Sequence, residues 1–135
     1  MSLIQWNATL CLDIAEIDRQ HRMLVETINE LDDAMRQGKG KDLLGKILNR
    51  LVGYAGTHFK TEERYFAQLG YPETEKHKTE HLAFVTKVTE FKQAFDAAKL
   101  GLSVPVMRFL SDWLQDHING SDREYAPFFH QHGVR

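Results

Sequence analysis

The chain has a single cysteine, Cys11, in 135 residues. No internal disulfide can staple the fold, and no cysteine cluster can hold zinc. That lone thiol is expected to act as a small buried apolar group. An excess of basic charge is missing as well. Seventeen Lys and Arg stand against nineteen Asp and Glu, a formal charge of −2, which speaks against a nucleic-acid surface. No stretch reaches the roughly 18 consecutive apolar residues of a membrane span. Met1 to Ile17 lacks a basic start and carries acidic residues, so it does not read as a secretory leader. β-branched runs are few, and internal repeats and low-complexity tracts are absent. These absences fit a cytoplasmic protein with no membrane and no nucleic-acid partner.

The length suits one compact domain, expected over residues 1–135. Punctuation falls at Gly38 and Gly40, at Gly70-Tyr71-Pro72, and at Gly101 with Pro105. Between these points the apolar residues recur every three or four positions, the period of an amphipathic helix. The first helix is predicted from Ile17 to Gln37, with stripe Ile17, His21, Leu24, Ile28, Leu31 and Met35. The second is predicted from Lys41 to Gln68, and its stripe includes Leu51, Tyr54, His58, Glu62 and Tyr65. Pro72 suits the first turn of the third, whose stripe runs His77, His81, Phe84, Val88, Phe91. Ser103 suits the N-cap of the fourth, with stripe Val106, Leu110, Trp113, His117. Short connections imply an all-α, antiparallel up-down-up-down four-helix bundle. The segment with Trp6, Leu10 and Leu12 is expected to lie across it as an N-terminal arm. His130 and His132, beyond Pro127, are expected in an exposed tail.

Each stripe is interrupted by a histidine where an apolar residue belongs, and a buried imidazole or carboxylate without a partner is costly. Counting from the loops shows that these residues meet. His21 lies seventeen residues before Gly38 and His58 eighteen after Gly40. His58 lies twelve before Gly70 and His81 eleven after it. His81 lies twenty before Gly101, with His117 sixteen and Asp122 twenty-one after it. At a rise of about 1.5 Å per residue, antiparallel helices bring these positions to one level. His58 and Glu62, and His77 and His81, are each four apart and share a helical face. Glu63 points about 100° away and reads as a solvated charge. His117 and Asp122 are five apart, about 140° on a regular helix, so Asp122 joins the layer only through a π-type bulge near Gly120.

Five imidazoles and two carboxylates exceed the four ligands of a single zinc. They suit a transition metal better than an all-oxygen calcium or magnesium site. Two octahedral ions need about twelve positions. Five histidines, two bridging carboxylates and a bridging oxygen fill about eleven of them, leaving roughly one open. No Glu-x-x-His motif of the carboxylate-rich di-iron bundles occurs. The expected function is therefore binding rather than oxidation of a substrate, with no general acid or base beside the vacancy.

The ligand spacing resembles that of the bacterial hemerythrins: His21, His58-x-x-x-Glu62, His77-x-x-x-His81 and His117-x-x-x-x-Asp122. The contexts agree as well, including Asp18-Arg19-Gln20-His21, Gly70-Tyr71-Pro72 and Trp113-Leu114-x-x-His117-Ile118. The resemblance implies a non-heme di-iron cofactor. His77, His81 and His117 would hold one iron and His21 and His58 the other, with Glu62, Asp122 and an oxo or hydroxo group bridging. It implies dioxygen as the partner and reversible oxygen carriage or storage, not an enzyme. Oxygen or redox sensing, and a di-iron peroxidase or nitric-oxide-handling activity, are the alternatives. Trp113, Phe59 and Ile118 are candidates to line an oxygen pocket, and Asp18 is a candidate to orient His21.

Overall fold

The computed structural model describes residues 4–98 and 101–135. Residues 1–3 and 99–100, which the single-domain expectation also spans, lie outside the described residues. Four long helical segments make the bundle: α1 (Ala15–Arg36), α2 (Gly40–Leu69), α3 (Thr74–Asp96), and α4 (Ser103–His117) continued through a π-helical turn (Ile118–Asp122) into α5 (Arg123–Gln131). The described residues contain no strand. Helix ends fall within a few residues of the sequence reading, the usual scatter at frayed termini. Gly70 ends α2 in the left-handed conformation, φ +69°, and its N–H donates to Phe66 O at 2.9 Å. A side chain at that φ is strained, so glycine fits the sharp reversal into α3.

Two local expectations are corrected. Pro72 lies in the turn before α3, which begins at Thr74, because Gly70 has already reversed the chain there. Ser103 is the first helical residue of α4 rather than its cap. Leu102 holds the cap position, and no side chain bonds the free N–H groups there.

The arm is ordered over its described length. Ile4 N donates to Asn29 Oδ1 at 2.8 Å, and Asn29 Nδ2 donates back to Ile4 O at 2.8 Å. Its own Leu10 and Leu12, and Ile14 just before α1, are buried. Arg123 donates to the carbonyls of Thr9 and Cys11, tying the arm to α5. Cys11 is only half-buried, not the core group expected.

The apolar core is split in two. The larger cluster gathers Leu24, Ile28, Leu51, Phe84, Leu110 and Leu114, among others, along the middle of the bundle. The smaller packs Leu12, Ile14, Ile17, Phe66, Tyr125 and Phe129 at the end beneath the arm. Along α1, α2 and the α4–α5 run the interrupting polar residues fall where the chain passes from one cluster to the other, and those of α3 fall between Tyr71 of the preceding turn and Phe84. Nonpolar floors above and below keep that layer from water, so its polar atoms must answer one another or a ligand.

Candidate metal centre

His21 projects from the second turn of α1, His58 and Glu62 from α2, and His77 and His81 from the first half of α3. His117 ends α4 and Asp122 ends the π turn. The wider turn carries the five-residue step, so His117 and Asp122 both face inward. All seven side chains are buried, Glu62 and Asp122 with no exposed surface.

The seven fall into two overlapping groups. One ligand atom each from Glu62, His77, His81 and His117 lies within 4.8 Å of the others, and the same holds for His21, His58, Glu62 and Asp122. Asp122 divides its oxygens between the two sides. Its Oδ1 lies 3.0 Å from both His77 Nε2 and His117 Nε2, and its Oδ2 lies 2.8 Å from His21 Nε2. Glu62 sits between them too, with Oε1 3.2 Å from His58 Nε2 and 2.9 Å from His81 Nε2. Its Oε2 is 3.4 Å from His77 Nε2.

These atoms are near one another but mostly not aimed at one another. Glu62 Oε2, His77 Nε2, His117 Nε2 and both Asp122 oxygens are buried without an aligned hydrogen-bond partner among the described residues. Such close but misdirected approaches are what lone pairs converging on a common centre produce. The donor set of imidazole and carboxylate fits a pair of transition-metal ions.

Electrostatics point the same way. Burial alone would raise the Asp122 carboxyl, but His117, His21 and His77 outweigh it and hold the group well below its usual range. Glu62 is lowered likewise, against burial and the Asp122 charge, by His58, His77 and His81. Burial opposes charge on His77, yet Asp122 and Glu62 lift it to about 10, and His117 is raised by the same opposition. Burial dominates at His58 and pushes it down to about 4. No lysine or arginine among the described residues pairs with either buried carboxylate. The layer therefore demands positive charge, which protons on imidazole meet and which metal ions would meet by displacing those protons.

Outer contacts hold the rings. His58 Nδ1 donates to Gln20 Oε1 at 2.8 Å, and Gln20 Nε2 donates to Thr61 Oγ1 at 3.0 Å. The amide is thus oriented to accept, and His58 Nε2 is left as the inward lone pair. His81 Nδ1 donates to Glu63 Oε2 at 3.0 Å. Glu63 is therefore not a freely solvated charge: its side chain crosses to α3. Asp18 does not reach His21; it accepts from Leu12 N at 2.9 Å and anchors the arm. Phe59 stacks on His81, centroids 3.8 Å apart, and Trp113 stacks on His117 at 4.4 Å. Both also border a small cavity of about 10 Å³ with Leu24, Ile28, Phe84 and Leu110. Ile118 is buried but does not border it.

Sequence reading missed Gln20, Glu63 and Glu80, because a single helical period shows only which face is apolar. It also missed α5. Tyr125, Ala126 and Phe129 are buried there, and Tyr125 lies against His77 at 5.5 Å between ring centroids. Their three-and-four spacing was a usable signal. Burial, then the Asp122 and Glu62 charges, raises the Tyr125 hydroxyl well above its ordinary value. It has no aligned hydrogen-bond partner among the described residues. A phenol therefore stands beside the layer, against the three-histidine group. His130 and His132 are likewise on and just beyond α5 rather than in a loose tail, bonded to Asp13 O and Phe128 O.

No helix among the described residues is long and apolar enough to cross a membrane. The family model for the hemerythrin HHE cation binding domain matches residues 12–129. A bacteriohemerythrin of Stenotrophomonas maltophilia is 34% identical over 126 residues, covering 93% of this chain and 81% of its own. One from Methylococcus capsulatus is 31% identical over 128 residues, covering 94% and 97%. A crystal structure of wild-type hemerythrin superposes with a TM-score of 0.85 at 31% identity, covering 93% of this chain and 97% of that one. By fold, by matched length and by the donor set of its buried polar layer, the chain belongs to the hemerythrin family.

Proposed function

We propose that this protein binds dioxygen reversibly at a pair of non-heme irons and serves as an oxygen carrier or store, as a single domain in the cytoplasm. His77, His81 and His117 would hold one iron and His21 and His58 the other, with Glu62 and Asp122 shared. The observation that carries the reading is the division of Asp122, one oxygen toward each unequal histidine group. Three histidines on one side and two on the other leave the second ion with fewer ligands and a place for a small molecule. Bound there, the irons supply the electrons and the open position that reversible dioxygen uptake requires.

The chain's own residues favour binding over turnover. Every side chain bordering the adjacent cavity is apolar, and the space is on the scale of one small molecule. Phe59 and Trp113 cover the outer faces of His81 and His117 and exclude water from them. Gln20 and Glu63 hold the Nδ1 protons of His58 and His81, keeping both Nε2 atoms free to bind metal.

The test is iron quantification with an absorption spectrum of the reduced protein before and after air. Two irons per chain, colour on oxygenation and its loss under vacuum are expected. One metal per chain, zinc after iron-replete expression, or peroxide or nitric-oxide turnover well above free iron would overturn the proposal.

A further inference from the structure

The outer nitrogens of the histidines divide by charge as well as by number. In the three-histidine group, His81 Nδ1 donates to Glu63 Oε2 at 3.0 Å. His117 Nδ1 lies 3.8 Å from Glu80 Oε2, a buried oxygen with no hydrogen-bond partner among the described residues. In the two-histidine group, His58 Nδ1 meets only the neutral amide of Gln20, and His21 Nδ1 has no partner among the described residues. Neither Glu63 nor Glu80 pairs with a lysine or arginine among the described residues, so the imidazoles are the groups that feel their charge.

Resting on the iron-pair reading, we propose that Glu63 and Glu80 are positioning residues that make the three-histidine side the seat of the more highly charged ion. When the pair loses one electron, that side becomes ferric and the two-histidine side stays ferrous. Glu63, accepting the His81 Nδ1 proton, pushes electron density through that ring and strengthens its Nε2 as a donor. Its charge also favours a trivalent over a divalent ion through Coulomb attraction. An amide at the same place offers only a dipole. Solvent screens part of the effect, since the Glu63 and Glu80 side chains are 34% and 36% exposed. The step balances simply. One ferrous ion gives one electron to ferricyanide, which becomes ferrocyanide, and no bond to a protein atom breaks. The His81 Nδ1 proton remains on its hydrogen bond to Glu63, and Glu80 acts on His117 through its charge alone, across 3.8 Å.

The test uses the full chain loaded with iron and counted at two per chain, titrated with ferricyanide. Glu63→Gln and Glu80→Gln keep the shape of each side chain while removing its charge. Each is expected to make the first oxidation about tenfold less favourable, a shift of about 59 mV to higher potential. Gln20→Glu, placed in the double Gln variant, should move the ferric ion to the other side. Nitrogen hyperfine couplings of the half-oxidised state count the histidines on the ferric ion. Three are expected in the parent chain and two in the triple variant. A count of two in the parent, or unchanged potentials in variants that still hold both irons, overturns the inference and leaves the iron pair standing. A chain that takes up no iron pair overturns both.

Discussion

Phe59 joins the packing of the bundle to the chemistry of its polar layer, and its removal has a cost that can be worked out. The ring is 5% exposed and stacks on His81 at 3.8 Å. It also meets Phe84 edge-on at 5.6 Å and Trp113 at 5.9 Å. Truncating a buried phenylalanine to alanine costs about 3–5 kcal/mol, and aromatic pairs of this kind each add about 0.5–1.5 kcal/mol beyond buried area. Phe59→Ala should therefore fall at the upper end, near 5 kcal/mol. Domains are stable by only about 5–15 kcal/mol, so the variant should melt roughly 10–20 °C lower. The void would merge with the existing cavity of about 10 Å³. Lined by Leu24, Leu51, Ala55 and Phe84, it should stay dry and accept benzene or xenon. Benzene at ten times its dissociation constant should return about 1.4 kcal/mol. Urea denaturation of the iron-loaded protein, with and without benzene, measures both numbers. A loss no larger than the roughly 0.5 kcal/mol typical of surface positions would refute the packing argument. A loss nearer about 3 kcal/mol with no benzene effect would mean that the neighbours collapse into the space.

Asp122→Ala should drop the iron content below two per chain, because His21, His77 and His117 all lose their shared carboxylate; two irons and intact oxygen binding would show that this bridge is misassigned. Alkaline titration should ionise the tyrosines unequally. Burial raises Tyr71 to about 12 and Tyr125 well above its ordinary value, whereas unfolded tyrosine ionises near pH 10. The contribution of Tyr71 is thus fully present below about pH 10 and lost as pH rises through about 12, and that of Tyr125 is lost in the same direction. Late phenolate absorbance coinciding with loss of helical circular dichroism is expected, and one early transition for all four tyrosines would contradict it. Gly70→Ala must place a side chain at φ +69°, which should cost about 1–2 kcal/mol in denaturant melts; no change would mean that the turn can rearrange.

Much of this arrangement could be read in advance because water forbids it elsewhere. His21 sits in an α1 stripe that also holds Ile17, Leu24 and Ile28, and an imidazole in such company needs a partner. Loop counting then set the level at which the partners meet. The five-residue step from His117 to Asp122 even required a widened turn, and the π segment supplies it. What escaped notice depends on contacts between helices. Glu63 points well away from Glu62 on its own helix and looks solvated until α3 brings His81 beside it. Gln20 looks like a surface amide until His58 reaches it from α2. Gly120 and Pro127 carry breaker signals, and these hid a fifth helix whose Tyr125 and Phe129 fill the smaller core. Helix propensity is a weak local term, and burial of those rings outweighs it.

The π turn between His117 and Asp122 also bears on any attempt to transplant this centre. Grafted residue for residue onto four ideal straight helices, six of the seven side chains would find equivalent places, while the aspartate would swing about 140° from its histidine. A designer must therefore copy the extra residue along with the side chains, or delete one position and accept a four-residue step. The blueprint of the centre includes a backbone irregularity that no list of its side chains contains.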